Sequence, residues 1–172
     1  MDIQYASSHL ALAHSRYHGS PLQTLTFNMS KSHEMRLSIK SYPHVVSIQT
    51  RYADIDPQMH VNSIRMGEIF EEARCRFVRS IGFAIALGIE RRLVAALNHT
   101  YLNEALYPGD LEVANGITKI GRTSWTIGQA AFQDGRCVAL CDITIVGASA
   151  TGPVPLADTH RQLLQKHGVD GL

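Results

Sequence analysis

The feature that most constrains this chain is a change of hydrophobic period near residue 62. Before it, "HVVSIQTRY" (residues 44–52) alternates, with Val46, Ile48, Thr50 and Tyr52 on one face and Val45, Ser47, Gln49 and Arg51 on the other. That is the period of a strand. After it, "NSIRMGEIFEEARCRFVRSIGF" sets Ile64, Met66, Ile69, Phe70, Ala73, Phe77 and Ile81 at helical spacing, which predicts one long helix with a continuous apolar stripe. Glu68, Glu72, Arg76 and Arg79 fall on the other side, and Glu72 with Arg76 forms an i,i+4 pair worth about 0.3 kcal/mol. Asn62 or Ser63 is a good N-cap, and Gly82 or Gly88 is placed to end the helix.

A lone helix with such a stripe needs a sheet to cover it. Four further strands are expected near 92–105, 110–120, 123–133 and 136–147, separated by turns at Pro108-Gly109-Asp110, Gly121-Arg122 and Asp134-Gly135. The last is a type I′ hairpin signal. "PLADTHRQLLQKHG" reads as a short C-terminal helix closed by Gly168. The order is strand, long helix, then four strands in a meander, which predicts an α+β fold with an antiparallel sheet of about five strands around the helix.

At 172 residues the chain suits one domain with a real core. Residues 1–42 differ in composition, rich in His and Ser, and read as an N-terminal extension in which "HLALAHSRYH" can form a short helix. Residues 43–172 form the domain proper.

A net charge of +1 without a dense basic cluster argues against nucleic acid or an anionic membrane as partner. No apolar run approaches a membrane span, and the N-terminus lacks the pattern of a signal peptide. Three cysteines without a CxxC pair give neither a disulfide framework nor a zinc site. Cys137 and Cys141, four apart on one strand, are expected to share a face as packing residues. Free thiols suit a reducing compartment, so a cytoplasmic protein is expected.

"RYADIDPQMHVNSIRMGEIFEEARCRFVRSIG" resembles the signature of the hotdog-fold acyl-CoA thioesterases, in the branch named for 4-hydroxybenzoyl-CoA thioesterase. Arg51, Tyr52, Asp54, Asp56, His60, Val61 and Asn62 stand at matching places, as do Phe70, Glu71, Glu72, Ala73 and Arg74. Tyr101, Gly109-Asp110 and "KIGRTSWTIGQAAFQDGRCVALCDITIVG" resemble the family's second half, so the likeness covers about 43–165. Three positions depart: Met59 replaces the usual Gly, Ser63 a common second Asn, and Met66 a usual Tyr.

The resemblance implies a hotdog fold and a homodimer or dimer of dimers. It also implies hydrolysis of an acyl-CoA to free acid and coenzyme A, without metal or organic cofactor. It makes Asp56 the catalytic carboxylate, as nucleophile or general base. Residue type alone allows a plainer role, a turn aspartate bonding its own backbone before Pro57. His60 orients water or bonds Asp56, Asn62 caps the helix and contacts the thioester, and Asp54 ends the strand or pairs with Arg51. A helix start offers free N–H groups and partial positive charge, so the amides of Ser63 and Ile64 are expected to face the thioester oxygen. Met59 is expected either to crowd the approach of the thioester or to line an acyl pocket, Met66 to contact substrate, and Gly67 to let a ligand or second chain approach closely. Glu71 and Glu72 are an internal rival for the catalytic carboxylate, though solvated charge suits both better. Binding of an acyl-CoA or acyl-carrier thioester without hydrolysis is the alternative function, and Met59 in place of Gly is its basis. A dehydratase is disfavoured, because no His-x4-Pro-x2-Pro-Gly pattern is present.

Overall fold

The structure, a computed structural model, describes residues 31–83 and 91–172. The helix expected at "HLALAHSRYH" and the Gly88 stop lie outside the described residues. The order of elements is α1 (Lys31–Arg36), β1 (His44–Gln49), α2 (Ser63–Ser80), β2 (Arg91–Tyr101), β3 (Asp110–Ile120), β4 (Ser124–Gln133), β5 (Arg136–Ser149), β6 (Gly152–Pro153) and α3 (Asp158–Gln165), with single 3-10 turns at Ile39–Ser41 and Tyr52–Asp54.

One antiparallel sheet of order β1-β3-β4-β5-β2 curls around α2, with β6 added to β5. This is the hotdog arrangement. The expected meander holds only for β3–β4–β5. Strand β2 does not pair with β3 but crosses to the far side of β5, with His99 opposite Cys141 and Tyr101 opposite Ala139. With β1 on one side of β3 and β4 on the other, β3 has no free side for it, and it pairs along the outer side of β5. The β4–β5 turn is as expected, with φ of 52° at Asp134 and 75° at Gly135, the two positive values that a type I′ turn requires.

Met66, Ile69, Phe70, Ala73 and Phe77 form the buried stripe of α2. Ile64 does not belong to it and is 73% exposed. At about 100° per residue it points some 200° away from Met66, so the stripe is narrower than expected. Asn62 is the N-cap, its side chain accepting from the Ile64 amide at 2.9 Å. At the other end Gly82 adopts φ +72°, while Phe83 N–H donates to Val78 O at 3.2 Å and Gly82 N–H to Arg79 O at 3.1 Å. This 6→1 and 5→2 pair stops the helix and turns Phe83 into the core against Trp125, ring centroids 4.9 Å apart.

The core has an inner part beneath α2, built on Phe70, Leu111, Val113 and Ala139 near its start and on Phe77, Phe83, Trp125 and Ile127 near its end. A buried amide pair ties helix to sheet: Gln129 Nε2 donates to Phe70 O at 2.9 Å and to Asn115 Oδ1 at 2.7 Å. The outer face of the sheet carries a smaller cluster of Tyr42, Ala114, Ala130, Phe132, Leu140 and Val169, against which Leu37 and Ile39 pack. Arg36 is anchored there, Nη1 to Asp142 Oδ2 at 2.6 Å. The segment from Arg36 to Tyr42 is thus docked on the domain.

The cysteine expectation needs correction. Ala131 pairs with Ala139 but Phe132 with Cys137, so Val138 is an extra residue in β5. Such a bulge breaks the alternation. Cys137 therefore joins the outer cluster and Cys141 the inner one. Burial raises both thiols, Cys137 to about 11 and Cys141 to about 12, which fits inert packing residues. Among the described residues no helix is long and apolar enough to cross a membrane.

Candidate active site

The site is built on a tight hairpin that delivers the chain into α2. Asp54 is buried and accepts from Arg51 three times: backbone N at 2.8 Å, Nε at 3.2 Å and Nη2 at 2.7 Å. The guanidinium lowers the pKa of that carboxyl. Its backbone carbonyl accepts the Asn62 amide at 2.8 Å, so Asp54 is a structural clasp. It pairs with Arg51, one of the roles expected of it.

Within the clasp, Ile55 bridges Val61, Asp56 N–H donates to His60 O at 3.0 Å, and Met59 N–H donates to Asp56 O at 2.9 Å. Pro57 follows Asp56, and its fixed φ suits the first central position of a turn. The turn closes through Met59 at φ +69°. A three-residue hairpin of this kind ends in a left-handed residue, normally Gly. This gives a backbone reason for the Gly usual at this place. Met59 itself is 64% exposed and does not line the cavity described below. Met59→Gly removes the left-handed strain and is expected to stabilise the protein by about 1 kcal/mol, raising the melting temperature by about 2–4 °C. A lower melting temperature would contradict this account of the turn.

Asp56 uses its two oxygens differently. Oδ1 accepts the Gln58 amide at 2.8 Å, the plain turn role, while Oδ2 lies 3.3 Å from His60 Nδ1. His60 Nε2 faces Gln58 Oε1 at 3.0 Å, so the ring is held between two oxygens. The Asp56 and His60 side chains are 18% and 24% exposed, accessible yet fixed.

A second segment closes over this hairpin. Val61 N–H donates to Ala105 O at 2.7 Å and His60 bridges Leu106. Gln133 holds Leu106 at both ends, accepting its N–H at 2.7 Å and donating to its carbonyl at 2.8 Å. Between the two lies a cavity of about 540 Å³, lined by His60, Val61, Met66, Tyr101, Asn103 and Arg136 among others. Met66 lines it. Asp56 does not, and touches it through His60.

The helix start departs from expectation in one respect. The Ile64 N–H is already given to Asn62 Oδ1, so it is not a free donor. The first-turn amides of Ser63 and Arg65 lack intrahelical acceptors by the geometry of any helix start. Gly67 faces His99: a Cβ on Gly67 would sit 3.3 Å from His99 Cε1. Glu71 and Glu72 are paired with Arg74 and Arg76 on the exposed side of α2.

Two side chains escaped assignment. His99 stacks on Phe70 with centroids 5.4 Å apart, and Tyr101 Oη donates to Ser63 O at 3.1 Å. The signal was available, since residues two apart on a strand share a face, and the strand after a lone helix must present one face to it. Among the described residues no group of three or more His, Cys, Asp or Glu side chains is placed to hold a metal ion.

Comparison with known proteins agrees with this fold. A predicted thioesterase from Bacillus stearothermophilus is 27% identical, with 72% of this chain and 95% of that one covered and a TM-score of 0.64. A thioesterase from Thermus thermophilus, complexed with coenzyme A and Zn, is 24% identical over 74% and 95% of the two chains, TM-score 0.65. The DHNA-CoA thioesterase of Staphylococcus aureus is 18% identical over 71% and 88%, TM-score 0.60, and shares the fold. No curated protein sequence matches. The family model that matches residues 50–163 is that of the thioesterase-like superfamily, and the chain belongs to that family.

Proposed function

We propose that the protein hydrolyses an acyl-CoA thioester to the free acid and coenzyme A, with Asp56 as the carboxylate that acts on water or on the thioester carbon. The observation that carries this reading is the placement of the Asp56–His60 pair, 3.3 Å apart, on the hairpin that runs directly into the start of α2. Hydrolysis requires a base or nucleophile on one side of a carbonyl and donors on the other. Asp56 Oδ2 serves as the first and the Ser63 amide, aided by the helix dipole, as the second. Water oxygen adds to the carbonyl carbon, the oxyanion is held at the helix start, and collapse expels the thiolate, which leaves with the proton taken from water. His60 fixes Asp56, while Asn62 keeps the first turn open by capping it.

The binding-only alternative rests on Met59. A turn conformation accounts for that position without reference to substrate, so Met59 does not favour binding over hydrolysis. The test is release of free thiol from a panel of acyl-CoAs that spans short, long and aromatic acyl groups. Saturable binding of these thioesters with no thiol released would overturn the proposal.

The protein is proposed to act as a homodimer or dimer of dimers. Strand β2 lies at the edge of the sheet, and its Leu93, Val94, Leu97 and Tyr101 are each 50–57% exposed. A long apolar edge of this kind invites pairing with a second copy. Sedimentation is expected to give twice or four times the chain mass of 19.0 kDa. A species at the single-chain mass across micromolar concentrations would contradict it.

A further inference from the structure

We propose that Tyr101 is a further residue of the active site, its hydroxyl a side-chain donor to the reacting carbonyl, and that His99 is the residue that positions it. This inference rests on the thioesterase reading above and adds two residues to it.

The observations form a chain across two elements. Tyr101 lines the cavity of about 540 Å³ that His60 also lines. Its hydroxyl donates to the carbonyl of Ser63, the first residue of α2, at 3.1 Å. The second atom facing that hydroxyl is His99 Nδ1, at 3.3 Å. Since the phenol proton goes to Ser63, Nδ1 must be the donor in the second contact, which fixes the tautomer of His99. The His99 ring is itself held on two sides. Phe70 stacks on it at 5.4 Å, and Gly67 leaves room for it that a Cβ would narrow to 3.3 Å. Burial lowers the pKa of His99 and raises that of Tyr101, so the pair is a neutral imidazole and a neutral phenol at neutral pH.

The bond from Tyr101 to Ser63 is the replaceable link. A first-turn carbonyl already accepts an i+4 amide within the helix, so the phenol proton is held in reserve rather than required there. An oxyanion forming beside the Ser63 amide is a stronger acceptor than a peptide carbonyl. The hydroxyl transfers to it with a small rotation, and the bond from His99 keeps the oxygen in place.

The test measures thiol release by the full chain on the best acyl-CoA of the panel, for wild type, Tyr101→Phe, His99→Phe, His99→Asn and the Tyr101→Phe/His99→Phe double variant. Tyr101→Phe is expected to lower kcat by about 10²-fold, the loss typical of one oxyanion donor, with KM little changed. His99→Phe keeps a ring against Phe70 but loses the donor, and is expected to lower kcat by about tenfold. His99→Asn, whose amide N–H can stand in for Nδ1, recovers most of that loss. The double variant is expected to match Tyr101→Phe alone, because without the hydroxyl there is nothing to position. Wild-type kcat in Tyr101→Phe, or losses that simply multiply in the double variant, would overturn the inference and leave the thioesterase reading intact. Absence of thiol release by the wild type overturns both.

Discussion

Asp56→Asn is expected to lower thiol release from the best acyl-CoA by about 10²–10⁴-fold, the range for loss of a general base, with the melting temperature little changed. The argument lies in how the two oxygens are used. Oδ1 holds the hairpin through the Gln58 amide at 2.8 Å, and an asparagine retains an oxygen for that bond. Oδ2, 3.3 Å from His60 Nδ1, is the atom lost, replaced by a nitrogen that donates and can neither take a proton from water nor attack a carbonyl. The substitution thus separates the turn role of Asp56 from its chemical role. Turnover equal to wild type, with the fold intact, would reduce Asp56 to a turn residue and return Glu71 and Glu72 to consideration.

Phe77→Ala is expected to destabilise the fold by about 3–5 kcal/mol, a fall of about 6–20 °C in melting temperature at fixed protein concentration. Phe77 is fully buried and joins three parts of the chain. Its ring lies 5.4 Å from His44 at the start of β1 and 6.2 Å from His167 just after α3, while its own helix carries it into the cluster with Trp125 and Ile127. Alanine leaves a void where helix, first strand and C-terminal segment converge. A loss below about 1 kcal/mol would mean that the site repacks and that the inner core is softer than its burial implies.

Much of this architecture was legible in the residues. The period change at Asn62 marks where strand gives way to helix, and the buried face of α2 from Met66 to Phe77 follows from spacing alone. The Asp134-Gly135 turn was equally readable, because positive φ at both residues leaves few other uses for that pair. What was not legible depends on contacts distant in sequence. The pairing of β2 with β5 joins strands some fifty residues apart, and no local pattern marks it. The bulge at Val138 that sends Cys137 and Cys141 to opposite faces has no marker in the local pattern.

The site divides in the same way. Asn62 as helix cap could be read from residue type and position. The left-handed Met59, the capture of the Ile64 amide by Asn62 and the closure of the cavity by Leu106 and Gln133 depend on dihedral angles and long-range hydrogen bonds. His99 and Tyr101 lie between: their shared face is a matter of period, but their reach to Phe70 and Ser63 is tertiary.

The most direct measurement is product analysis of wild-type protein acting on an acyl-CoA in water labelled with oxygen-18 under multiple turnovers. The account predicts free thiol and free acid in equal amounts, with one labelled oxygen in each new carboxylate. Saturable occupancy of the protein by acyl-CoA, with the thioester recovered whole and no labelled acid formed, would contradict it.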